Sequence, residues 1–222
     1  MAIAVRYRTL RTGVTMMLAV AVVNGCGRRD DQPETDFGPA AGAALAVVGI
    51  QYDATLPLRS SPGADQPVVA SPDPLADDLV ATGRARQVNS SLWYEVTVGG
   101  VTGWADSASL AYLGETFDAT ERIAAKLGGP PTADTMLELG RIVAMAEAFT
   151  EDPASRVTVT VAPTLGDVGE VTYDVVGFPD DSVSGERLHV FATPGYTFTL
   201  KTAEVTTLCR RGVSDDDRRV CV

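Results

Sequence analysis

A single histidine, His189, narrows the chemistry open to this chain of 222 residues. A catalytic zinc site needs three protein ligands in open geometry, so one histidine is too few to build the usual set. A serine triad using His189 would need a nucleophile elbow, and no serine sits in one. Carboxylates remain, since two Asp or Glu side chains flanking a bond suffice for glycoside hydrolysis. Of the 29 acids, two acid-rich places are Asp180-Asp181 and Asp215-Asp216-Asp217, both in turn or loop sequence. Consecutive acids point in different directions and lack the alternating spacing of a calcium loop. No glycine loop that would cradle phosphate is present. The expectation is therefore no catalytic residue, no metal and no cofactor, with His189 on the exposed face of a strand.

Charge excludes another class. The formal net charge is −11. Arg6, Arg8 and Arg11 are the only charges before Cys26, so the chain from Cys26 onward carries −14. Such a surface repels phosphate backbones, and nucleic acid is not an expected partner.

The amino terminus has the order of an export signal: the three arginines, the apolar run Val14–Val23, then Asn24-Gly25-Cys26. Ten residues rise about 15 Å as a helix, roughly half the hydrocarbon core, which is too short to span stably. Val23-Asn24-Gly25-Cys26 resembles the lipobox of bacterial lipoproteins. The resemblance implies cleavage after residue 25, a lipid on Cys26, and an extracytoplasmic chain anchored to the cell membrane. With Cys26 lipidated, Cys209 and Cys221 remain as a disulfide pair in an oxidising compartment. A cysteine peptidase would then have no free thiol. Residues 26–44, rich in Gly, Pro, Ala and acids, read as a disordered tether.

The elements that would position a site begin at residue 45. Short apolar runs at Leu45–Tyr52, Leu56–Arg59, Val68–Ala70, Leu79–Arg84, Trp93–Val98 and Gly103–Ala105 alternate with turn residues, which indicates a small barrel. Gly99-Gly100 supplies the positive φ values of a tight hairpin. Within residues 45–114, Leu56–Gly63 (LPLRSSPG), Trp93-Tyr94-Glu95-Val96 and Gly99–Trp104 followed by Ser107–Leu110 resemble, in order and spacing, the bacterial SH3 (SH3b) family. The resemblance implies binding of cell-wall stem peptides or protein peptides, with Trp93, Tyr94 and Trp104 as the candidate contacts, because aromatic faces grip extended peptides at low entropy cost. The same three residues also suit a small core.

Residues 115–222 change pattern. Residues 117–127 and 133–149 read as helices, the first ended by Gly128-Gly129 and Pro130-Pro131, the second capped by Thr132. Met136, Leu139, Val143 and Ala146 form an apolar stripe, widened by Leu137 and Ile142. Alternation around Val157–Val161, Val171–Val175, Leu188–Val190 and Tyr196–Leu208 predicts four strands, with a bulge near Ala203. The expected architecture is an all-β SH3-like barrel followed by an α+β domain of two helices and a four-stranded antiparallel meander. The expected function is a non-catalytic envelope lipoprotein that binds peptidoglycan or a protein peptide. The alternatives are a carboxylate-dependent wall hydrolase and an accessory subunit that binds no wall.

Overall fold

The computed structural model describes residues 37–166 and 168–222. The signal segment, the lipobox with Cys26 and the tether before Phe37 lie outside the described residues. In chain order the strands are β1 (Ala44–Val47), β2 (Leu58–Arg59), β3 (Val68–Ala70), β4 (Leu79–Val88), β5 (Ser91–Val98), β6 (Val101–Asp106) and β7 (Leu110–Asp118). Then come α1 (Thr120–Leu127), β8 (Thr132–Ala133), α2 (Met136–Glu147), β9 (Arg156–Leu165), β10 (Gly169–Val176), β11 (Val183–Thr193) and β12 (Phe198–Cys209). The β5–β6 hairpin turns on Gly99 and Gly100, at φ 55° and 80°. Residues from Gly42 onward are docked rather than free: the Gly42 amide donates to the Ala81 carbonyl at 2.8 Å.

The expectation of an SH3-like barrel followed by an α+β domain is overturned. All strands belong to one twelve-stranded antiparallel sheet in the order β3-β2-β6-β5-β4-β1-β7-β12-β11-β10-β9, with β8 added beside β12. The reason lies in β7. Its start pairs with β1 (Ala111 with Ala46) and its length pairs with β12, from Tyr112 with Cys209 to Asp118 with Glu204. A strand has two hydrogen-bonding edges, and β7 gives one to each half of the chain. The boundary drawn between residues 114 and 115 falls inside this strand.

The helices cover one face of the carboxy-terminal strands. Leu139, Val143 and Ala144 of α2 and Ile123 of α1 pack on Val171, Tyr173, Val175, Leu188, Val190, Ala203 and Val205. The buried stripe of α2 runs through Gly140 and Ala144, while Leu137 is exposed. Gly140 lets the helix press on the sheet, since a Cβ there would stand 2.5 Å from Val171 Cγ1 and 2.6 Å from the Tyr173 ring. Thr135 caps α2 by accepting from the Glu138 amide at 3.1 Å; Thr132, the expected cap, lies in β8. Residues 117 and 118, expected in the first helix, extend β7. The register of β11 against β12 skips Lys201, two residues from the expected bulge.

The opposite face of these strands carries a rivet between the two halves. Asp174, fully buried, accepts from Arg187 Nε at 2.7 Å, from Arg187 Nη2 at 2.9 Å and from the Gly49 amide at 2.7 Å. Arg187 Nη2 also donates to the Val47 carbonyl at 2.7 Å. The end of β1 is thus bonded to β10 and β11 across more than 120 residues of sequence. Beside it Val48, Ala111, Val176 and Leu208 form a small shared core. The Cys209–Cys221 disulfide is formed. It folds the carboxy-terminal residues beside β7, where the Glu115 amide donates to the Arg218 carbonyl at 2.8 Å.

Candidate functional site

A cavity of about 340 Å³ opens where the two halves of the sheet meet. One wall comes from β5 and the turn after β6: Leu92, Tyr94, Ser107, Ala108 and Leu110. The facing wall comes from the carboxy-terminal half: Ala154, Arg156, Val176, Gly177, Ser184 and Arg210, with Val48 between. Val48 and Val176 are buried in the shared core, so the floor is apolar. The rim carries the polar groups.

Each polar group is placed by its element. Tyr94 lies in β5 opposite Ala85, half-buried against the amino-terminal core. Burial pushes its hydroxyl pKa up, while the nearby Arg210 charge and the Ser107 side chain pull it back down. Arg156 opens β9 and Arg210 follows β12, so each leaves the sheet at a strand end and is exposed. The Arg156 guanidinium lies against Gly49: a Cβ on Gly49 would stand 2.6 Å from its Nη2. Gly49 also has a φ of +64°, so both space and backbone favour glycine there. The Arg210 amide donates to the Ser182 carbonyl at 2.7 Å, and its guanidinium to the Phe178 carbonyl at a long 3.5 Å. It biases Asp180 electrostatically without forming an ion pair with it. Ser184 is occupied, donating to the Leu208 carbonyl at 2.9 Å.

Of the three aromatic candidates, the structure brings one to this cavity. Adjacent residues of a strand face opposite sides, so Tyr94 and Trp93 point apart. Trp104 stands opposite Glu95 in the β5–β6 ladder, which puts it on the Trp93 face. Both tryptophans are buried, at 7% and 4% exposure. The Trp104 ring is covered by Arg84 and Arg86, whose guanidinium carbons lie 5.4 and 5.8 Å from its centroid. Neither tryptophan joins the amino-terminal core cluster that Tyr94 packs against, and Tyr94 alone of the three lines the cavity. Arg156 and Arg210 were not singled out from the sequence. Their only signal there is that they flank strands in an acidic chain, which many charged residues do.

Two acidic places bear on hydrolysis. A groove of about 510 Å³ on the helix-free face is lined by Asp77, Glu170, His189 and Glu204 among others. His189 is 40% exposed, on the strand face, with Nε2 3.3 Å from Glu170, which also accepts from Thr164 at 2.8 Å. This is an open surface lined with polar side chains. Glu147 and Glu186 lie closer to the interior, but Lys126 at 2.6 Å and Arg122 at 3.6 Å hold Glu147, and Arg122 at 3.4 Å holds Glu186. Among the described residues no group of three or more His, Cys, Asp or Glu side chains is arranged to hold a metal ion, and no helix is long and apolar enough to cross a membrane.

The tyrosine cavity therefore combines an apolar floor with hydroxyl and guanidinium donors at its rim. Such a lining has the groups to hold an extended polar ligand and orient it. Compared with protein-family models, curated proteins and solved structures, the chain matches none.

Proposed function

We propose that this protein is a non-catalytic lipoprotein of the bacterial envelope that binds peptide segments, those of the cell wall first, in the cavity beside Tyr94. The observation that carries this reading is the cavity itself, which joins an aromatic hydroxyl, two guanidinium groups and an apolar floor at the seam of the sheet. The similarity of residues 56–63, 93–96, 99–104 and 107–110 to bacterial SH3 sequences supports a peptide ligand. The lipobox-like Val23–Cys26 supports a lipid anchor, and the Cys209–Cys221 disulfide fits an oxidising compartment.

The test is sedimentation of the full chain, extracted in detergent, with purified peptidoglycan. The native protein is expected in the pellet. Tyr94→Ala, checked for folding by circular dichroism, is expected to bind about tenfold less, because it removes both the aromatic face and the hydroxyl. A native protein that stays in the supernatant overturns wall binding and favours the accessory-subunit alternative. Anchoring is read separately: Cys26→Ser should move the protein from the membrane fraction to the soluble fraction.

A further inference from the structure

We infer that Arg156 and Arg210 form a carboxylate-binding subsite, so that the peptide taken by the Tyr94 cavity presents a free carboxyl group to this end of it. The inference rests on the peptide-binding reading above and specifies its ligand.

The argument begins with charge. The chain holds 18 basic residues against 29 acidic ones. In such a surplus of acid an arginine readily finds a carboxylate, and several others among the described residues have done so, while Arg59 and Arg218 donate to the Gln66 and Leu113 carbonyls. Arg84 pairs with Glu95, Arg122 with Glu147 and Glu186, Arg141 with Glu138, Arg187 with Asp174, Arg211 with Asp181 and Arg219 with Asp217. Arg156 and Arg210 have no carboxylate within ion-pair distance among the described residues, and these two line one cavity. They arrive there from positions 54 residues apart, at opposite ends of the meander. Two guanidinium groups on one cavity lining, neither held by a carboxylate, attract an anion placed between or beside them.

The lining then selects the kind of anion. The forked N–H geometry of arginine matches a carboxylate bidentately. The Tyr94 hydroxyl lines the same cavity as Arg210 and adds a neutral donor. The floor of Val48, Val176 and Leu110 accepts an apolar side chain next to the charged group. That is the chemistry of a peptide terminus or an acidic residue with an aliphatic neighbour. A polyanion fits poorly, because beyond this pocket it would meet a surface of net negative charge.

Two measurements test the inference, and they fail independently. In the first, peptidoglycan is used native and after carbodiimide coupling of its carboxyl groups to methylamine. The native protein should sediment with the first and bind the second about tenfold or more weakly. Arg156→Gln and Arg210→Gln should each lose about tenfold on native wall and no longer distinguish the two. Arg→Lys at either position should restore part of the loss, since the charge returns without the fork. Equal binding of both walls by the native protein overturns the carboxylate subsite while leaving wall binding intact. No binding to either wall overturns the function reading alone.

The second measurement does not depend on the wall. Arg156 and Arg210 are exposed and open to phenylglyoxal, and their modification is followed by mass spectrometry. N-acetyl-alanyl-alanine should protect both, and its C-terminal amide should not. N-acetyl-glutamic acid α-amide shows whether a side-chain carboxylate serves as well as a terminus. Equal modification with the acid and the amide, up to the solubility limit, overturns the subsite.

Discussion

Asp174→Ala should separate the two halves of the sheet energetically. The substitution removes both oxygens that meet Arg187 and the one that accepts from Gly49. Arg187 is only 12% exposed and would be left as a buried charge. Removing one partner of a buried pair costs about 3–5 kcal/mol. An orphaned, partly buried amide at Gly49 adds about 1 kcal/mol, though the two losses share an environment and do not add fully. The expected loss is thus about 4 kcal/mol, a large share of the roughly 5–15 kcal/mol that holds a typical domain. It should lower the thermal midpoint by about 10 °C.

The assay is urea unfolding followed by tryptophan fluorescence and by far-ultraviolet circular dichroism. Both native tryptophans lie in the amino-terminal half, so fluorescence reports that half alone. In the native protein the two probes should coincide; in Asp174→Ala they should shift to lower urea and drift apart. The double variant Asp174→Leu with Arg187→Met replaces the charges with apolar groups and orphans only the Gly49 amide and the Val47 carbonyl. It should be about 1–3 kcal/mol less stable than native, hence more stable than the single variant. A loss below about 1 kcal/mol for Asp174→Ala, or a double variant worse than the single, refutes the rivet.

Three further outcomes are expected. Burial raises the Glu186 pKa above its ordinary 4.5, Glu147 adds to the rise and Arg122 opposes it. The unfolded chain therefore releases this proton first, and stability should fall as pH rises from 4.5 through the folded value; in Glu186→Gln that fall should be smaller, as read by thermal midpoints across pH 4–8. Gly140→Ala gains helix propensity of about 1 kcal/mol yet drives a methyl into Val171 and Tyr173, so a net loss of about 1–2 kcal/mol is expected in urea unfolding, and a net gain would contradict the close contact. Cys221→Ser opens a loop whose ends are 12 residues apart and should cost about 2–3 kcal/mol, with faster hydrogen exchange at the Glu115 amide; unchanged exchange there would mean the terminus is held without the bridge.

Much of the local structure was legible in the residues. Gly99-Gly100, the alternation of Val171, Tyr173 and Val175, and Gly128 after Leu127 each act within a few positions, through φ preference or side-chain period. The disulfide followed once Cys26 was set aside. Helix edges were less legible, because Phe117 and Asp118 have partners on β12 that outweigh a local helical pattern.

What the chain order could not convey is which edges meet. A strand such as β7 has no residue that says whether its second edge closes a barrel or continues a sheet; pairing with β12, some ninety residues on, decides that. The cavity follows from the same event. Tyr94 was visible as an aromatic in a strand, but Arg156 and Arg210 came to share a cavity with it only when the start of β9 and the end of β12 were placed by the fold. Local patterns are written by short-range sterics and periodicity, and a site assembled across the seam depends on contacts between residues that no sequence spacing relates.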